Sequence, residues 1–197
     1  MAPNFRYFLG YQVAADRAGW LARHLPPVSR DLFVGLSPHR YHLTLCTIAE
    51  TALPHPFLRQ QVERALAAGL PAAAAIPFGR IVAREAGAEL VTAGDIGAIR
   101  AQYEAVIARL AREGIAPLHR KSGLRPHITL GYGKTEFDPA PLAWTWTPHE
   151  LVLIESHVGH RRHRRLQGWT LPPPDQRQFV DHEVEQPLRR RRQRPAL

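Results

Sequence analysis

The spacing of apolar positions predicts short strands alternating with helices. Residues 5–11 are apolar and aromatic and read as a strand. Residues 14–25, rich in Ala and Leu, stop at Pro26-Pro27 as a helix does. Residues 40–48 alternate and are partly β-branched, which predicts a second strand. Phe57, Leu58, Val62, Leu66 and Leu70 form a helical stripe within 56–70. Residues 74–83 and 88–92 read as strands about a turn at Glu85-Ala86-Gly87. A longer helix over 96–112 carries Ile99, Tyr103, Val106, Ile107 and Leu110 on one face, with Asp95 to cap it and Gly114 to end it. Residues 126–131, 150–156 and 166–171 complete the strands, the last two paired across an arginine-rich turn. The elements fall into two halves, each with strands and a helix. No repeat of 20–50 residues is visible, so the chain is not a solenoid.

Composition changes this picture in two places. At 197 residues, 45% hydrophobic and 22% charged, the chain is long enough for one globular unit with a real core. The single cysteine, Cys46, excludes an internal disulfide and favours a reducing compartment. The N-terminus lacks the charged-then-apolar order of a secretory signal, and no apolar run is long enough to span a bilayer. A cytoplasmic monomer without membrane attachment is the expectation. The formal net charge is +9, carried almost wholly by arginine, since Lys121 and Lys134 are the two lysines. A positive balance favours an anionic partner, and the guanidinium fork suits phosphate. Residues 173–197 form a Pro- and Arg-rich stretch with little to bury and read as a mobile tail behind a domain of residues 1–172. Its six arginines face four carboxylates, so +2 of the charge lies there and +7 in the body.

Candidate chemistry comes from two tetrapeptides, His42-Leu43-Thr44-Leu45 and His127-Ile128-Thr129-Leu130. Successive side chains of a strand point to opposite faces, so His42 shares a face with Thr44, and His127 with Thr129. The intervening aliphatic residues anchor each strand in a core. Side by side across a groove, the strands would present two imidazoles and two hydroxyls. Displacement at phosphorus requires a proton taken from the nucleophile and a proton given to the leaving oxygen, and two histidines of near-neutral pKa can do both. Threonine hydroxyls can donate to the non-bridging oxygens. This logic calls for no metal and no cofactor.

The paired motifs, with Arg40-Tyr41 before the first and Arg125-Pro126 before the second, resemble those of the 2H phosphoesterase superfamily. Within it the resemblance is to the RNA 2′,3′-cyclic phosphodiesterases, also called 2′-5′ RNA ligase-like proteins, and it covers residues 5–171. The resemblance implies an α+β fold of two lobes related by a pseudo-two-fold, with a cleft between two antiparallel sheets and helices outside. It implies hydrolysis of a 2′,3′-cyclic phosphate of RNA ends or nucleotides to a 2′-phosphate, with one motif histidine as base, the other as acid, and Thr44 and Thr129 on the phosphate; His127 is taken as base and His42 as acid, an assignment that two chemically alike motifs do not fix. Many relatives carry an arginine shortly after the second motif; here Gly131-Tyr132-Gly133-Lys134 follows, so Lys134 or Tyr132 is the expected substitute. The alternatives are an RNA-binding module without turnover, a 2′-5′ RNA ligase, and a hydrolase of another cyclic phosphoester.

Other candidates rank lower. Tyr7 and Tyr11 share a face and read as core rather than as base-stacking residues. Trp144 and Trp146 share a face at a core or lobe edge. His157, His160 and His163 lie among arginines that repel cations, so a solvated turn or a phosphate-facing loop fits better than a metal site. Lys121-Ser122-Gly123 lacks the form of a phosphate loop. Strict alternation places Cys46 on the face of His42, as a small packing residue rather than a nucleophile.

Overall fold

Residues 3–28, 33–118, 123–160 and 162–174 are described by a computed structural model. The readings made for 175–197, Lys121, Ser122 and Arg161 lie outside the described residues. In chain order the elements are β1 (Phe5–Gln12), α1 (Ala15–Arg23), β2 (Phe33–Gly35), a 3-10 turn at Pro38–Arg40 and β3 (His42–Thr51). Then come α2 (Leu58–Leu66), β4 (Ile76–Arg84), β5 (Gly87–Thr92), α3 (Gly97–Arg112), β6 (His127–Gly133), β7 (Ala140–Trp146), β8 (Glu150–His157) and β9 (Arg162–Thr170).

The strand order is β7-β4-β5-β6-β3-β1-β8-β9, antiparallel in every pairing, with β2 added beside β6. The order is symmetric about its centre: β6-β5-β4-β7 runs outward on one side and β3-β1-β8-β9 on the other. The halves meet at one registered pair, Leu43 with Ile128. These two residues stand next to His42 and His127, so the pseudo-two-fold passes through the paired motifs. The two expected sheets are therefore joined at the cleft floor into one.

The helices cover one face. Ala18 and Leu21 of α1, Val62 and Leu66 of α2, and Ile99, Val106 and Leu110 of α3 bury against Leu9, Leu43, Leu90, Ile128 and Leu130. Asp95 Oδ1 accepts a hydrogen bond from Gly97 N–H at 2.8 Å at the start of α3. At its end Gly114 adopts φ +72° while the Ile115 amide returns to the Leu110 carbonyl at 3.0 Å. Tyr7 and Tyr11 are fully buried, and the Tyr11 hydroxyl donates to Gln102 Oε1 at 2.6 Å. The opposite face of the sheet carries a small buried apolar cluster, Phe8, Val152 and Ile154. That face is the cleft. Among the described residues no helix is long and apolar enough to cross a membrane.

Three sequence expectations are corrected. First, β7 and the short β2 are strands that the pattern did not predict. In β7, Trp144 and Trp146 do share a face and stack on each other at 5.6 Å and on Phe78. Second, β9 starts at Arg162 rather than at 166, because Arg162, His163, Arg164 and Arg165 pair with β8 residues 157 to 154. A strand polar on both faces has no apolar alternation to reveal it. Third, Cys46 is on the core face. Along β3 the partner of Gly10 is Thr44 but the partner of Leu9 is Cys46, so Leu45 is an extra, bulged residue and the alternation flips. Burial pushes the Cys46 thiol up to about 12, which leaves it inert.

Candidate active site

The same bulge recurs in the other half. On β6, Thr129 pairs with Glu89 but Gly131 pairs with Ala88, which leaves Leu130 as the extra residue. Both motifs thus end in a bulged leucine, and the local kink turns His-x-Thr of each strand toward the cleft while each bulged leucine and the residue after it stay buried. Extending the Leu43–Ile128 register by one residue each way sets His42 across from Thr129 and Thr44 across from His127. All four polar side chains stand on one face and are half-buried.

The imidazoles are held alike. His42 Nδ1 lies 2.7 Å from the Arg40 carbonyl and His127 Nδ1 lies 2.8 Å from the Arg125 carbonyl, each two residues upstream. A carbonyl can only accept, so both Nδ1 atoms carry the proton, and the tautomer leaves Nε2 as the reacting atom. His42 also stacks on Phe8 at 4.8 Å and meets His163 edge-to-face at 5.1 Å.

The surroundings of the two rings differ in sign. His127 Nε2 lies 3.5 Å from Glu89 Oε1, and Glu89 also pairs with Arg125 at 3.0 Å and Arg84 at 3.6 Å. The carboxylate favours positive charge on the His127 ring. Burial pushes the pKa of His42 down, and the charges of Arg40 and His127 push it the same way against the opposing bond to the Arg40 carbonyl. His163 is held at about 4 by burial and then by the charges of His42, Arg40 and His39, so it is neutral at neutral pH.

Two cavities flank the motifs. One of about 50 Å³ is lined by Thr44, Thr47, Tyr103, Leu118, Arg125 and His127. The other, about 330 Å³, opens beside His42 and is lined by His39, Arg40, Arg165 and His163 among others. Tyr132 lines a third, of about 300 Å³, together with Arg40. Lys134 is exposed and paired with Glu136 at 3.6 Å, outside all three. The structure thus brings together His42, Thr44, His127 and Thr129, sets Tyr132 at the rim, and leaves Lys134 apart. Sequence reading missed the site's carboxylate, Glu89, and underrated His163. Neither carries a local motif, and each reaches the cleft only through strand pairing. Among the described residues no group of three or more His, Cys, Asp or Glu side chains is placed to hold a metal ion.

No protein-family profile matches the chain, and no curated protein matches it significantly. Solved structures do. A crystal structure of a phosphoesterase superposes with a TM-score of 0.65 at 19% identity, covering 86% of this chain and 99% of that one. TT0787 of Thermus thermophilus gives 0.65 at 18% identity, covering 86% and 100%. Escherichia coli LigT, crystallised with ATP, gives 0.61 at 19% identity, covering 86% and 99%. The chain has the α+β fold of the 2H phosphoesterases, with its two His-x-Thr strands at the centre of the sheet.

Proposed function

We propose that the protein is a phosphodiesterase that opens the 2′,3′-cyclic phosphate of RNA ends or nucleotides to a 2′-phosphate, by paired histidine catalysis that needs no metal. The observation that carries this reading is the matched pair of imidazoles, each with Nδ1–H on a backbone carbonyl, beside two threonines on one cleft face. The likeness in fold to LigT and to a phosphoesterase supports it.

In this reading a water attacks phosphorus as His127 Nε2 takes its proton. The P–O3′ bond breaks, and His42 Nε2 gives a proton to the departing 3′ oxygen. The products are a 2′-phosphate and a 3′-hydroxyl, with the net proton returned through solvent. Thr44 and Thr129 donate to the non-bridging oxygens. The electrostatics favour this direction. Glu89 stabilises the charge that His127 gains, while burial and Arg40 favour the charge leaving His42. The phosphate anion, on binding, offsets the cost of protonating His42 beforehand.

The test is incubation with 2′,3′-cyclic nucleotides and cyclic-phosphate-ended RNA in EDTA, with product isomers resolved. A 2′-phosphate product, lost in His42→Ala and His127→Ala, supports the reading. RNA binding without turnover would replace it with a binding module.

A further inference from the structure

The pseudo-two-fold relates Arg40 to Arg125. Each stands two residues before its histidine and holds that histidine's Nδ1–H by its carbonyl. Their guanidinium groups have different fates. Arg125 is neutralised by Glu89 at 3.0 Å. Glu89 pairs with Thr129, and the residue that pairs with Thr44 in the other half is Gly10. The symmetric partner of Glu89 is therefore missing. Arg40 has no carboxylate partner among the described residues, and its Nε is buried with no hydrogen-bond acceptor. A buried donor of this kind is costly unless a ligand satisfies it.

Arg40 lines the 330 Å³ cavity beside His42. Among the described residues no Asp or Glu lines it. The β8–β9 pairing turns His163 and Arg165 to the same face as Phe8 and His42, since Ile154 pairs with both Phe8 and Arg165. Arg165 is paired with Glu150, and among the described residues no carboxylate lines the cavity to balance the charge of Arg40. The volume is that of a small-ligand site.

We propose that this cavity is a second phosphate subsite, built by Arg40, Arg165 and His163, which takes the 5′-phosphate of the nucleotide whose cyclic phosphate lies at His42 and His127. The inference rests on the function proposed above. It makes the substrate an RNA end, or a 5′-phosphorylated nucleotide, in preference to a nucleoside 2′,3′-cyclic phosphate. In an RNA chain the 5′-phosphate of the terminal nucleotide is the next phosphodiester, so one cleft reads two consecutive phosphates: the reacting one by the motifs, its neighbour by Arg40. The Arg40 backbone carbonyl, which positions His42, is untouched by changes to the Arg40 side chain.

The experiment compares kcat/KM for adenosine 2′,3′-cyclic phosphate with that for its 5′-phosphorylated form. The 5′-phosphate raises kcat/KM by roughly tenfold, the scale of one charged hydrogen bond. In Arg40→Ala and in Arg165→Ala the ratio falls toward one, and Arg40→Lys keeps part of it. Any general effect of Arg40 on His42 alters both substrates alike and cancels in the ratio. Equal kcat/KM with and without the 5′-phosphate overturns the subsite. If neither compound is hydrolysed, the proposed function fails on its own, and calorimetry decides the subsite. Adenosine 3′,5′-bisphosphate must then bind more tightly than adenosine 3′-monophosphate, with the difference lost in Arg40→Ala. Equal affinities overturn it.

Discussion

Gly10 holds the geometry of the cleft, and replacing it with alanine tests that directly. It pairs with Thr44 at the bulge of β3. A Cβ built on it would meet the Leu43 carbonyl oxygen at 2.3 Å, the Leu43 carbonyl carbon at 3.2 Å and the Thr44 Cα at 3.3 Å. The obstacle is backbone, so no rotamer change relieves it. Ordinary contact would require β1 and β3 to part by about 1 Å beside His42 and Thr44. Overpacking of this kind costs about 1–3 kcal/mol of stability. The catalytic cost is larger, because a displacement of about 1 Å in a reacting constellation lowers rates by roughly 10²-fold. Gly10→Ala is therefore expected to unfold at lower urea concentration and to lose kcat on a 2′,3′-cyclic nucleotide by about that factor. Gly19→Ala is the control. Gly19 is inside α1, its added Cβ would find only the Arg23 side chain at 3.8 Å, and the change should stabilise by about 0.5–1 kcal/mol. A Gly10→Ala protein with wild-type stability and wild-type kcat would refute the argument that close approach of β1 sets the site.

Three further outcomes are expected. His42→Ala and His127→Ala each lower kcat/KM by roughly 10²-fold or more, and Thr44→Ala or Thr129→Ala by about tenfold, read on folded protein with a cyclic nucleotide; a His42→Ala, His127→Ala double variant at the wild-type rate sinks the mechanism. With one imidazole acting as base and the other as acid, kcat/KM is bell-shaped in pH, and a flat profile from acid to alkaline pH contradicts paired catalysis. Glu155 is 3% exposed and bonds to the Tyr7 hydroxyl at 2.9 Å, His157 Nε2 at 3.0 Å and Arg164 Nε at 3.0 Å; burial would raise its pKa, but these partners outweigh that and hold it below the usual value. Its stabilisation is present above the usual carboxylate range and is lost as pH falls through the depressed folded-state value, so Glu155→Gln should cost about 1–3 kcal/mol at neutral pH and less in acid, by urea unfolding at both.

What the sequence disclosed follows from where its information is local. His42, Thr44, His127 and Thr129 were legible because each pair obeys a period of two on its own strand. The helices α1 to α3 were legible from their apolar stripes, although α2 is shorter at both ends than 56–70. Cys46 was misplaced because a bulge leaves no mark in the side-chain pattern: Leu45 and Cys46 are consecutive apolar residues under either phase. β9 was half lost because Arg162 to Arg165 gain their order from Glu155 and Glu150 across the hairpin, through pairs that no single-strand pattern contains. Lys134 was chosen for its charge and its nearness in sequence to the second motif, yet β6 carries it past the cleft to Glu136.

Pairing also separates the two motifs, which sequence treats as alike. Each histidine has a threonine across from it, a bulged leucine after it and an arginine before it, so a symmetric site would make acid and base interchangeable. The symmetry fails where Thr129 faces Glu89 and Thr44 faces Gly10. That difference has two effects. It puts a carboxylate 3.5 Å from His127 and, among the described residues, none in the cavity beside His42, which in the proposed mechanism separates the roles of the rings. It also neutralises Arg125 and leaves Arg40 with an unsatisfied buried Nε, which separates a structural arginine from one free to take an anion. If both effects have this one origin, Gly10→Glu should diminish them together. It would supply Arg40 with a carboxylate, remove the preference for a 5′-phosphate and favour a charged His42. Because the added side chain also meets the clash described above, the separable readout is the kcat/KM ratio of 5′-phosphorylated to unphosphorylated substrate, compared with that of Gly10→Ala. A ratio retained in Gly10→Glu at the level of Gly10→Ala would show that the missing carboxylate is not what leaves Arg40 available.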